Sequence, residues 1–271
     1  MERYIQINGL KIGKGCQYVF EDIEGIAGGD IRYTEDEFID VDGCEVTDVY
    51  FSARTFQIKG SILAKDVRSL LALKQTLIKV CNPKKQLEVY YFDGERKYYC
   101  NAIADGMPDF AKRIGRTMGF VIYIKIPSFY WQSPDEIETG IFKITPLLNN
   151  TFTFPGMFSG RVNRNIIEND GEMYTYPKIV LTCKKSNTSD IILSNLTTGK
   201  TIKIVHIMSP GEVVTIDMRW RTVISSTAGN LINNIDRTDD FWRLETGEND
   251  IHVMTENITA MMYHRNNYIG V

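Results

Sequence analysis

A chain of 271 residues with 43% hydrophobic, 24% charged and 11% aromatic residues has a globular composition, which excludes disordered, collagen-like and coiled-coil chains. Its 31 basic and 34 acidic residues leave a net charge of −3, which provides no basic footprint for a nucleic-acid binder. Met1-Glu2-Arg3-Tyr4-Ile5 shows no secretory signal, no window approaches the roughly 18 apolar residues of a membrane span, and five scattered cysteines without a C-x-x-C pair read as reduced thiols, so the expectation is a soluble cytosolic product.

In chain order, strand signals dominate. Asp42-Gly43 between Phe38–Val41 and Cys44–Val46 predicts a hairpin turn, because Asp-Gly supplies positive-φ positions. Thr55 to Ile62 alternates, with Phe56, Ile58, Gly60 and Ile62 on one face. A single helix follows, from Asp66 as N-cap to about Val80. Its stripe of Val67, Leu70, Leu71, Leu77 and Ile78 is interrupted by Lys74, and Asn82-Pro83 stops it. Leu87–Phe92, Asp93-Gly94 and Glu95–Ala102 read as a second tight hairpin, and Gly119–Ile126 as a strand. Gln132-Ser133-Pro134-Asp135-Glu136 is a polar break, which sets domains of 1–133 and 134–271. Beyond it, short strands at Lys178–Cys183, Ile191–Leu196, Ile202–Met208, Glu212–Asp217 and Asp250–Met254 are spaced as in a β-sandwich. The expected fold class is mainly β: a sandwich-like first domain with one helix, then a second β-sandwich.

Charge is uneven. Glu21 to Asp48 holds eleven carboxylates and one basic residue, Arg32, a local charge of −10; the remaining 30 basic and 23 acidic residues make the rest of the chain +7. Such an acidic segment suits a basic surface on a neighbouring copy, a face past which nucleic acid must move without sticking, or a plain solvated face.

Known chemistry is sought without result. His206, His252 and His264 are far apart and form no H-x-H or H-E-x-x-H metal pattern. An EF-hand beginning at Asp40 fails, since its glycine falls at the fourth loop position and Phe51 stands where a bidentate Glu is needed. No phosphate-binding loop and no nucleophile elbow occurs. Glu35-Asp36-Glu37 and Asp239-Asp240 are read as coincidental carboxylate clusters, and no catalytic, cofactor or metal residue is assigned. Trp220 and Trp242 offer rings for a sugar face, with Trp242 more naturally a core residue.

Several runs together resemble the siphovirus-type tail component family, the distal tail proteins of tailed phages. They are Arg54-Thr55-Phe56-Gln57-Ile58-Lys59-Gly60-Ser61-Ile62, the helix with Asn82-Pro83, Met107-Pro108-Asp109-Phe110 and Pro127-Ser128-Phe129-Tyr130-Trp131. In the second half they continue with Asn169-Asp170-Gly171, Tyr176-Pro177-Lys178-Ile179, Leu193–Gly199, Pro210-Gly211-Glu212, Phe241-Trp242-Arg243-Leu244, Gly247-Glu248-Asn249 and Tyr268-Ile269-Gly270-Val271. The resemblance implies a non-enzymatic hub at the virion tail tip, assembled in the bacterial host cytoplasm. Its first domain forms a homo-hexameric ring between the major tail tube protein and a tail-associated or tail-tip protein, and DNA passes through without specific binding. The second domain is then galectin-like, facing receptor-binding proteins or host glycans, and the last residues, about 262–271, pack back on the first. Glu35, Asp36, Glu37, Asp40 and Asp42 are the candidate subunit interface. The alternative is a carbohydrate-binding adsorption module; against a galectin-type sugar site, Arg161-Val162-Asn163-Arg164-Asn165 has no neighbouring His.

Overall fold

The computed structural model describes residues 3–37, 42–146, 159–185, 189–236 and 240–271. It is mainly β, with one α-helix among the described residues, and the chain divides into two compact units: Met1–Pro134 with Tyr268–Val271, and Asp135–Asn267.

The first unit is built on a curled antiparallel sheet. Its strand order is Leu10–Gly13, Tyr4–Ile7, Gln86–Phe92, Lys97–Ala104, Thr117–Ile126, Arg54–Leu63 and Tyr18–Glu24, and the two end strands approach each other. The alternation of Arg54–Leu63 is realised: Arg54, Phe56, Ile58, Gly60 and Ile62 are buried while their neighbours are not. Period-two burial of this kind follows from the pleat, which sends successive side chains to opposite faces. Gly60 is required by close approach, since a Cβ there would lie 2.4 Å from the Val19 carbonyl oxygen and 2.7 Å from the Phe120 ring.

The helix spans Val67–Val80 and begins on a capping box: the Ser69 amide donates to Asp66 Oδ1 at 2.7 Å, and the Asp66 amide donates back to Ser69 Oγ at 3.2 Å. Its buried face is centred on Leu70 and Leu77, while Val67 and Leu71, expected in the same stripe, are exposed. Lys74, the apparent interruption of that stripe, holds its Nζ 4.7 Å from the centre of the Phe110 ring, where its stem packs and its charge meets the ring face.

The Gln86–Phe92 and Lys97–Ala104 hairpin pairs Phe92 with Lys97, so the turn holds residues 93–96 instead of Asp-Gly alone. Asp93 decides this. Its Oδ1 accepts from both the Glu95 and Arg96 amides at 2.7 Å, an Asx-type closure that needs the longer loop.

The second unit is a sandwich of two antiparallel sheets. One runs Ile137–Gly140, Ile258–His264, Lys178–Cys183, Val213–Asp217, Thr222–Ser225 and Gly229–Asn230; the other runs Arg164–Asn169, Gly247–Val253, Ile191–Asn195 and Lys200–Ile204. Inward residues of both, such as Leu181, Ile216 and Met262 against Leu193, Ile202 and Ile251, form one core. A short pair, Lys143–Pro146 with Ser159–Val162, stands apart.

Candidate assembly interface

The acidic segment singled out in the sequence is two different elements. Its first part, Tyr18–Glu24, is the end strand of the main sheet, where Glu24 is held by Lys59 and Gln57 and Glu21 accepts from Ser61 at 2.6 Å. Its second part is a separate ribbon. Ile31–Glu37 and Cys44–Phe51 pair with each other and, among the described residues, with no third strand. Asp40 lies outside the described residues; Asp42 precedes the second strand and is exposed.

The ribbon springs from an aromatic base. The Ser52 amide donates to the Asp30 carbonyl at 2.9 Å and closes its foot, and Phe51 stacks on Phe129 with ring centres 4.3 Å apart. Gly29 makes room for that ring, because a Cβ there would stand 2.2 Å from the Phe129 edge. Arg54, fully buried, lies beneath, with its Cζ 4.3 Å from the centre of the same ring and its guanidinium donating to the carbonyls of Ile26 (2.9 Å) and Ile269. Burial pulls its pKa below the usual arginine value.

Beyond this base the ribbon is exposed among the described residues. The register Ile31↔Phe51, Tyr33↔Val49 and, past a bulge, Glu35↔Val46 puts Ile31, Tyr33, Val46 and Val49 on one face, with Glu35 at its distal edge. All four are exposed, at 43%, 55%, 48% and 55%. The opposite face carries Asp48, Asp36 and Glu45, and the last two are direct cross-strand partners. Like charges placed opposite one another destabilise a strand pair, and a lone two-stranded ribbon is marginal in water even without them. The negative field is visible in its neighbours: the Glu35 carboxylate raises the Cys44 thiol pKa, and hydrogen bonding to Asp48 raises that of the Tyr50 phenol. Of the expected interface residues, Glu35, Asp36 and Asp42 therefore sit on this ribbon or at its turn, as does the backbone of Glu37. The apolar face beside them was not anticipated, although the alternation Ile31-Arg32-Tyr33-Thr34 carries its signal.

Elsewhere the structure separates the other candidates. Trp242 is buried in the core of the second unit, whereas Trp220 is 71% exposed on the turn between Val213–Asp217 and Thr222–Ser225. Asp240 is paired with Lys200 at 2.6 Å, and Asp239 lies outside the described residues. The expectation that Arg164 has no histidine nearby is corrected: His252 is its cross-strand partner. Residues 88 apart in sequence meet there because strand pairing, not sequence proximity, sets the neighbours. Arg164 is engaged by Asp250, however, and none of the four strands of that sheet carries an aromatic residue on which a sugar could stack.

A polar cluster not foreseen from sequence surrounds Glu212, which is 2% exposed. Ser225 Oγ donates to its Oε1 at 2.5 Å, His206 Nε2 lies 2.7 Å from the same oxygen, and the Ser209 amide donates to Oε2 at 2.8 Å. Burial alone would raise this carboxyl, but the hydrogen bonds from Ser225, Ser209, His206 and Thr227 outweigh it and lower the pKa to about 2. Serine, histidine and glutamate meet, yet both donors are spent on the carboxylate. A nucleophile would need the histidine between serine and acid.

Comparison with known proteins bears on both units. A family model described as "Phage tail protein RIFT-related domain" matches residues 18–121, and one described as "Siphovirus-type tail component, C-terminal domain" matches residues 170–268. No curated protein sequence matches the chain. Among solved structures it is similar to SPP1 Dit, described as a paradigm of the hub adsorption apparatus in Gram-positive-infecting phages, with a TM-score of 0.74, 11% identity and 98% of each chain covered. It also resembles a chain of the phage P2 baseplate in its activated conformation with Ca (TM-score 0.56, 11% identity, 100% of each chain covered) and with Sr (0.55, 11%, 99% of each). These likenesses establish a shared fold, and the two family models fall on different units of it. The chain belongs to the siphovirus-type tail component family, the phage distal tail proteins.

Proposed function

We propose that this phage tail protein is a non-enzymatic hub whose first unit closes into a homo-oligomeric ring, a hexamer by analogy with the family, joining the tail tube to the tail-tip apparatus. The observation that carries the reading is the ribbon of Ile31–Glu37 and Cys44–Phe51, exposed on both faces, with an apolar side and a carboxylate side that no third strand covers among the described residues. A surface of this kind is kept by selection when another copy or another protein covers it. The fold shared with SPP1 Dit, described as a hub, points the same way.

Mass photometry or sedimentation velocity tests it. Six copies of the 31.0 kDa chain make a discrete species of about 186 kDa, and ring-shaped particles should appear in negative stain. A chain that stays monomeric at all concentrations, and also on tail tubes supplied in excess, would remove the reading. A second role, sugar adsorption by the second unit, rests on the exposed Trp220 ring, with Arg219 stacked 5.3 Å from it. Glycan-array binding that is abolished in Trp220→Ala is its expected signature.

A further inference from the structure

The first unit carries a second exposed surface with the opposite character to the ribbon. At the far end of the Arg54–Leu63 and Thr117–Ile126 ladder, Leu63 pairs with Thr117, and Thr117 is bridged to Ile114 across a tight turn. This row is tied to the start of the helix, since the Ala64 amide donates to the Arg116 carbonyl and the Arg116 guanidinium donates to the Lys65 carbonyl, each at 3.2 Å. Leu63, Val67 and Ile114 are exposed there at 46%, 41% and 80%. Around them stand Lys65, Arg68, Lys112, Arg113 and Arg116, all exposed, and none forms an ion pair within the described residues. The same holds for Glu35, Asp36, Asp42, Glu45 and Asp48 of the ribbon.

We propose that the ribbon of one copy seats on this basic, apolar corner of the next copy. The inference rests on the homo-oligomeric reading above and names its contact. Apolar residues flanked by unpaired carboxylates meet apolar residues flanked by unpaired cations, which gives desolvation at the centre and charge complementarity at the rim. Placement supports a head-to-tail contact. The ribbon's aromatic base adjoins the Arg54↔Ile126 end of the ladder, whereas the basic corner lies at the Leu63↔Thr117 end. Ten residue pairs separate the two by roughly 30 Å at about 3.3 Å per residue. Two different complementary surfaces set far apart on one subunit generate a heterologous interface, the kind that closes into rings.

Cross-linking and charge exchange test it. In a Cys44→Ser background, Val49→Cys and Ile114→Cys chains mixed in equal amounts and treated with a short bis-maleimide should yield a V49C–I114C heterodimer, whereas neither chain alone should give that product. Asp36→Lys, Glu45→Lys and Asp48→Lys together should weaken self-association at least about tenfold at ~0.15 M salt, as should Arg68→Glu, Arg113→Glu and Arg116→Glu together. One chain carrying both sets should recover it. A wild-type ring of full mass that gives no heterodimer, and keeps its mass in both charge-reversed chains, overturns this contact while leaving the ring intact. Absence of both oligomer and cross-link, even at high protein concentration, overturns contact and ring together.

Discussion

Glu212 illustrates what single residues contribute to the second unit. With a folded pKa of about 2 against an ordinary 4.5, it binds fewer protons folded than unfolded across that interval. Its stabilisation is therefore complete above about pH 4.5 and is lost as pH falls toward 2. The difference corresponds to about 3 kcal/mol. Urea unfolding followed from pH 6 to pH 2 should show this loss in the wild type and a shallower slope in Glu212→Gln, which starts about 1–3 kcal/mol less stable because the amide satisfies fewer of the buried donors. Parallel pH curves would contradict the assignment. In the sequence Glu212 is legible only as the start of a strand, because its partners are Ser209 and Ser225 on flanking turns and strands and a histidine from the preceding segment. Arg54 was equally opaque. It opens an alternating strand, but its hydrogen bond to Ile269 spans 215 positions, and no local pattern announces that a guanidinium will be buried on carbonyls and a ring.

At the level of elements, those governed by neighbours a few residues away were legible. The Asp66 cap, the burial alternation from Phe56 to Ile62 and the strand ending at Ile126 depend on spacing and side-chain type, and they formed as read. Which stripe of the helix is buried was not legible, because Val67 and Leu71 satisfy the same apolar periodicity as Leu70 and Leu77 until a sheet is placed beneath. The ribbon was visible as an acidic run but not as an isolated arm. That distinction has a testable consequence: the Asp30–Ser52 hydrogen bond brings its two feet together, so replacing residues 31–51 with a Gly-Gly link should leave the first unit folded. The Phe51 contacts with Phe129 and Tyr130 and the Arg32–Ser52 hydrogen bond are lost from the body of the unit, a cost of about 1–2 kcal/mol, and Tm should stay within ~8 °C. Self-association should disappear. Retained association, or a collapse of the fold, would deny the ribbon its role.

For the whole molecule, two separate cores account for the two compact units. Twenty-odd apolar side chains fill each, and neither core draws on buried residues of the other. Residues 135–267 expressed alone should therefore fold, with a cooperative thermal transition and a strand-type circular dichroism spectrum, and should remain monomeric, since the ribbon and the basic corner both belong to the first unit. An excised unit that oligomerises would shift the ring contact away from the first. By itself the sequence determined the β-rich class, the single helix with its cap and the uneven charge, because composition, periodicity and turn chemistry act over a few residues, while the family was legible through the resemblance of its ordered runs. Only the tertiary structure decided that the carboxylates share an arm with a bare apolar face, that the arm and the basic corner lie at opposite ends of one ladder, and that Arg164 meets His252. Each of these depends on strand register between distant segments, and register is set by packing of the assembled core, which local sequence does not encode.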